Sequence, residues 1–188
     1  MAKTAIFIDR DGTINVEKNY LHRIEEWEWI PGSVDAIKAF NNAGFLVIVI
    51  SNQAGVARGM YTDADINILH SYVDSELARQ DARIDAYYYC PHHPEFGQGR
   101  HCTCRKPSPE LLFRAQSDWN LDLSKSWMIG DKMSDIEAGK SAGVRCVLVA
   151  TGYGAEEHPK RTWEIPYVEN IQAASRLILQ DAGITAFP

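Results

Sequence analysis

Short apolar runs alternating with stretches of helical spacing constrain this chain more than any other feature. Ala5–Ile8, Phe45–Ile50, Ala86–Tyr89, Trp127–Ile129 and Cys146–Val149 read as strands; a continuous run such as Ala5–Ile8 suits a strand buried on both faces, and the third is marked by its aromatics. Between the first two, Val34, Ile37 and Phe40 recur at helical spacing, with Ser33 as N-cap and Gly44 as the stop. A second helix starts from Thr62, with Asp65 in its first turn and Ile66, Leu69, Val73 and Leu77 on one face. Ser108 caps a third that has Pro109 at its first position. Ser134 to Ala142 forms a short one ending at Gly143, and Asn170 caps a last one carrying Ala173, Leu177 and Ile178. Such alternation implies an α/β fold: a Rossmann-like, doubly wound, mainly parallel sheet with helices on both faces. At 188 residues, the chain suits a single domain over positions 1–188.

Charge and hydropathy exclude several classes. The net charge is −6, from 19 Lys+Arg against 25 Asp+Glu, so the broad basic surface that binds nucleic acid or anionic membrane is absent. No apolar run approaches the roughly 20 residues of a transmembrane helix. The N-terminal apolar run meets Asp9 too early for a signal peptide. A cytoplasmic protein without nucleic-acid or membrane partners is expected, and a monomer.

In a doubly wound sheet, ligands bind at the carboxyl ends of the strands, and the polar clusters fall there. Asp9-Arg10-Asp11-Gly12-Thr13 follows the first strand, Ser51-Asn52-Gln53 the second and Gly130-Asp131-Lys132 the fourth, while Arg105-Lys106-Pro107 precedes the third helix. Asp9 and Asp131 offer a hard cation the oxygen ligands that magnesium prefers. Lys106 and the Ser51 hydroxyl suit phosphate oxygens, with Asn52 a further donor. Asp9 is placed to attack phosphorus and Asp11 to protonate the leaving oxygen. Any one of these segments alone reads as an ordinary turn or cap. Together, in order, they read as a phosphate site.

Three of the four cysteines lie within fifteen residues. Cys90-Pro91-His92 and Cys102-Thr103-Cys104 make a C-x-H and C-x-C set, which in a reducing compartment points to metal rather than disulfide. Three thiolates and an imidazole close a tetrahedral zinc site of the structural type. His93 and His101 remain alternative ligands, and Cys146 inside the fifth strand reads as core.

These motifs resemble the haloacid dehalogenase superfamily of phosphatases from about Ala5 to Val149. The resemblance implies that Asp9 is the phosphorylated nucleophile and Asp11 the general acid/base, whose backbone carbonyl also meets magnesium. It implies catalytic roles for Ser51 and Lys106, direct magnesium binding by Asp131 and a supporting role for Asp135. The cysteine loop would stand in for the cap domain of larger relatives, leaving a minimal cap. Within the superfamily, the zinc loop and Ser51–Gly59 resemble small phosphatases acting on a sugar bisphosphate or, less closely, on histidinol phosphate. That likeness places Arg10, Glu17, Lys18, Asn19, Tyr20, Asn52, Gln53, Arg105 and Lys132 among the substrate contacts, and Arg58 beside them. A non-catalytic, zinc-stabilised phosphosugar-binding protein is the alternative from another class; it has no need of a nucleophile.

Overall fold

In the computed structural model, which describes residues 2–161 and 164–184, the first apolar run forms β1 (Ala5–Ile8), a strand with no exposed residue. The chain continues through α1 (Ser33–Asn42), β2 (Leu46–Asn52), α2 (Asp63–Ala78), β3 (Ala86–Cys90), α3 (Glu110–Trp119) and β4 (Trp127–Gly130). It ends through α4 (Met133–Ala142), β5 (Arg145–Val149), the single turn α5 (Gly154–Glu157), β6 (Tyr167–Val168) and α6 (Ile171–Asp181). The strand order is β3-β2-β1-β4-β5-β6, every pairing parallel. This order reverses direction beside β1, and the crevice between β1 and β4 is where such sheets take their ligands.

Alternation along β1 divides the core. Ile6 and Ile8 pack with Phe40 of α1, Val73 of α2 and Ile178 of α6. Ala5 and Phe7 face the other way, toward Leu111 and Leu112 of α3 and Ile136 of α4. Successive strand side chains point to opposite faces, so four residues serve two cores. Each large side chain so buried contributes about 1.5–3 kcal/mol.

Several boundaries differ from the sequence reading. Ser33 is the first residue of α1 rather than its cap; Gly32 occupies the cap position with φ 82°. In α3, Pro109 takes the cap position, and the Ser108 hydroxyl accepts from the Glu110 amide at 3.4 Å. β2 runs beyond its apolar stretch because Ser51 and Asn52 pair with Tyr89 and Cys90 of β3. Polar character does not end a strand that has a neighbour. The short, largely exposed β6 has no apolar run and goes unseen in the sequence. Thr62 and Asn170 cap α2 and α6 as expected.

Candidate active site

Four chain segments meet over the carboxyl ends of β1, β2 and β4 around a cavity of about 380 Å³. Asp9, immediately after β1, is buried, and Lys106 reaches it from the loop before α3: Nζ donates to Asp9 Oδ1 at 2.6 Å and to the Ile50 carbonyl at 2.6 Å. The same ammonium lies 2.6 Å from Asp135 Oδ1. Burial disfavours the ammonium, yet the carboxylates of Asp135 and Asp9 outweigh it and hold the Lys106 pKa above the ordinary lysine value.

Asp131, after β4, is fully buried; its Oδ2 accepts the Tyr153 amide at 2.8 Å while its Oδ1 has no protein partner. Gly12 and Gly152 hug this carboxylate. Their positive φ angles (90° and 56°) suit glycine, and a Cβ on either would come within 2.3 Å of Asp131 Oδ2. Burial and the neighbouring charges of Asp9 and Asp135 raise the Asp131 pKa. Asp9, Asp131 and Asp135 each offer a carboxylate oxygen, all within 4.8 Å of one another. Two of the three acids share one lysine, and an oxygen of Asp131 has no protein partner. Such a set fits a hard divalent cation.

Asp11 is held by four donors. Arg10 donates from Nε (3.1 Å) and Nη2 (3.0 Å), Asn15 Nδ2 at 3.0 Å and Gln53 Nε2 at 3.0 Å. Burial pushes its pKa up, but the Arg10 charge and these hydrogen bonds win and lower it. Asn52 forms a two-way amide pair with the Lys106 backbone, accepting its N–H at 3.0 Å and donating to its carbonyl at 3.1 Å. That amide therefore holds the Lys106 loop, and its second N–H remains for a ligand in the cavity that Asn52 borders.

The expected substrate contacts divide into two groups. Glu17, Asn19, Tyr20, Asn52, Gln53, Arg105 and Lys132 all border the cavity. The Arg10 side chain does not: it is fully buried beneath Asp11 and also donates to the Leu21 carbonyl at 2.8 Å. Lys18 turns instead to Glu28, 2.8 Å away. Arg58 does not border the cavity either; it is bonded to His93, which does, and lies over Phe96, 4.2 Å from that ring's centroid. Tyr61, Tyr153 and Ser134 border the cavity without having been anticipated. No spacing rule singles out tyrosines of this kind; each reaches the site through the path of its loop.

The cysteine loop closes on itself. Cys90 Sγ lies 3.6 Å from Cys102 Sγ and 3.8 Å from His92 Nδ1, and Cys104 Sγ lies 3.4 Å from that same nitrogen. A tetrahedral ion with bonds of roughly 2.3 Å to sulfur sets its ligands about 3.8 Å apart. The four groups fit such a site. His93 is elsewhere: its Nδ1 accepts the Glu95 amide and its Nε2 meets Arg58. His101 is not among the four converging groups. The loop also reaches the main cavity, since Arg105 Nη1 donates to the His92 carbonyl at 3.2 Å and the Gln53 amide to the Cys90 carbonyl at 2.8 Å.

Comparison with known proteins agrees with this constellation. Residues 103–174 match the HAD-hydrolase-like family model. Over 160 residues, the chain is 45% identical to D-glycero-beta-D-manno-heptose-1,7-bisphosphate 7-phosphatase of Escherichia coli (strain K12), covering 81% of this chain and 83% of that protein. The chain belongs to the haloacid dehalogenase superfamily. Another such superfamily phosphatase, from Salmonella typhi and bearing the same name, is 41% identical over 93% of this chain and 97% of its own length. The crystal structure of D,D-heptose 1,7-bisphosphate phosphatase from B. bronchiseptica, complexed with magnesium and phosphate, superposes with a TM-score of 0.87 at 31% identity, covering 95% and 99% of the two chains. No described helix of this superfamily member is long and apolar enough to cross a membrane.

Proposed function

We propose that this phosphatase removes the C7 phosphate of D-glycero-D-manno-heptose 1,7-bisphosphate through an aspartyl-phosphate intermediate, as a single-domain, magnesium-dependent enzyme of the cytoplasm. The observation that carries the reading is the buried contact of Asp9 with Lys106 at the sheet's switch point, in a chain 45% identical to a heptose bisphosphate phosphatase.

Hydrolysis of a phosphate monoester is extremely slow uncatalysed, and the site must lower its barrier by roughly 20 kcal/mol. Asp9, Asp131 and the Asp11 carbonyl would hold magnesium, which when bound neutralises phosphoryl oxygens that would otherwise repel a carboxylate. Lys106, whose three N–H groups rest on Asp9, Asp135 and the Ile50 carbonyl, turns the one on Asp9 to another of those oxygens, and the Ser51 hydroxyl donates to a third. An Asp9 oxygen attacks phosphorus, forming the new P–O bond as the bond to the sugar oxygen breaks. Asp11 delivers a proton to that leaving oxygen, then takes one from the water that hydrolyses the acyl phosphate. Held ionised at rest, Asp11 is suited to the second, base-catalysed step; for the first it takes up the proton that a substrate bound as the phosphate monoanion brings. Arg105 and Lys132, at the cavity edge, bind the second phosphate and so orient the first. Cys90, His92, Cys102 and Cys104 hold a structural zinc that fixes the loop bearing Arg105. Reduced thiolates of this kind suit the cytoplasm.

Steady-state phosphate release with magnesium tests the reading. The heptose bisphosphate should give a kcat/KM well above that for histidinol phosphate, with the C7 phosphate released. Equal or faster hydrolysis of histidinol phosphate would overturn the substrate while leaving the phosphatase chemistry standing.

A further inference from the structure

Gln53 is 2% exposed and has all four of its side-chain hydrogen-bonding interactions in place. Its Oε1 accepts from Tyr61 Oη at 2.7 Å and from Arg10 Nη2 at 3.3 Å. Its Nε2 donates to Asp11 Oδ2 at 3.0 Å and to Ser51 Oγ at 2.7 Å. The partners allow only one orientation of the amide. A guanidinium has no acceptor, so Arg10 must face the oxygen; an ionised carboxylate has no donor, so Asp11 must face the nitrogen. Tyr61 adds to this as a donor, because burial pushes its pKa up to about 12 and keeps its proton in place.

The consequence falls on Ser51. A serine hydroxyl has one proton and two lone pairs. With one lone pair engaged by the Gln53 amide, the Ser51 proton is left to point into the cavity that Ser51 borders. Resting on the phosphatase reading above, we propose that Gln53 is a positioning residue whose amide keeps Ser51 a donor toward the transferring phosphoryl group and, through its second N–H, ties that donor to the Asp11 carboxylate. Gln53 thus acts through its neighbours and makes no contact with substrate of its own. The arrangement calls for a glutamine rather than an isosteric glutamate at this position. A carboxylate at position 53 would accept from Ser51, drawing its proton away from the phosphate, and would repel Asp11.

A double-mutant cycle tests this, because coupling between two sites is read separately from their individual costs. Wild type, Ser51→Ala, Gln53→Glu and the double variant are compared in two ways: affinity for inorganic phosphate with magnesium, and kcat/KM on the heptose bisphosphate. In the wild-type background, Ser51→Ala should cost about tenfold in each, as loss of a hydrogen bond to a charged group does. In the Gln53→Glu background, the same change should cost less than about twofold, since the donor is already lost. An undiminished Ser51→Ala cost in that background overturns the positioning role.

Thermal unfolding of each variant checks the fold. Should Gln53→Glu not fold, Gln53→Met carries the cycle: it fills the same volume without donating, leaves the Ser51 hydroxyl free to turn, and should cut the Ser51→Ala cost to below about threefold. An undiminished cost there is equally fatal. The two readouts separate the two claims. Coupling on inorganic phosphate in a protein inert toward the heptose bisphosphate would support Gln53 and sink the substrate. Turnover of that substrate with no coupling would do the reverse.

Discussion

The Nζ of Lys106 lies 2.6 Å from Asp9 Oδ1 across 97 residues of sequence, with both side chains buried. The pair joins the third helix's approach loop to the tip of β1, and Asp135 Oδ1 approaches the same ammonium at 2.6 Å. Its electrostatics therefore bear on folding as well as on chemistry.

Lys106→Met should lower kcat by roughly 10²–10³, the usual cost of removing one donor to a developing oxyanion. It should also destabilise the magnesium-free protein by about 3–5 kcal/mol, because buried carboxylates are left without their partner. Adding Asp135→Asn should recover part of that stability and none of the activity. Urea unfolding and steady-state rates on the three proteins check both halves.

Asn52→Ala removes the two hydrogen bonds that grip the Lys106 backbone while leaving every charged group in place. A kcat reduction of about tenfold is expected, since losing two bonds of roughly 1 kcal/mol each loosens the loop that aims Lys106. Unchanged kinetics would show that Lys106 is held by its ion pairs alone.

Cys90→Ser and Cys104→Ser should each lose the zinc, lower the Tm and raise KM more than they lower kcat. The asymmetry follows from the structure: the loop supports Arg105 through the His92 carbonyl, whereas Asp9, Asp131 and Asp135 form a separate group. Metal analysis of the wild type should find about one zinc per chain. A metal-free wild type of full stability and activity would refute the zinc site.

His70 gives a pH dependence unrelated to catalysis. Buried in α2 and stacked on Tyr87 with ring centroids 3.9 Å apart, it has its pKa lowered from 6.5 to about 3 by burial first and then by the Arg10 charge. The unfolded chain thus binds more protons between about pH 3 and 6.5, so stability is full above that window and falls as pH drops through it. His70→Phe keeps the stacking and abolishes this component. Tm measured against pH should therefore be flatter in the variant below pH 6.5; parallel curves would contradict the assignment.

Much of this was legible in the sequence. Continuous apolar runs marked β1, β2, β4 and β5 because burial on both faces leaves no room for polar alternation, and aromatic residues marked the half-buried edge strand β3. The polar clusters at the carboxyl ends of β1, β2 and β4 marked the site because the fold opens at those strand ends. Arg10 shows where the reading ran out. The family likeness placed it among the substrate contacts, but alternation at the strand end turns its side chain inward, where it neutralises Asp11. Gln53 likewise stands in the right segment, yet its amide serves Ser51 and Asp11, while Asn52 grips the Lys106 loop with one N–H to spare. Motif position locates a residue at a site; only the three-dimensional path of the chain decides which neighbour takes its hydrogen bonds. Tyr61 and Tyr153 left no mark because their roles depend on loop geometry that no periodicity encodes.

The central claim is that phosphate passes through Asp9. Borohydride added to the enzyme during turnover of the heptose bisphosphate with magnesium reduces an acyl phosphate to an alcohol, and peptide mass spectrometry locates it. The account predicts reduction at Asp9, dependent on both substrate and magnesium, with Asp9→Asn inactive. Asp9→Asn turning over within about tenfold of wild type, a loss far below that expected for removing a nucleophile, would contradict it.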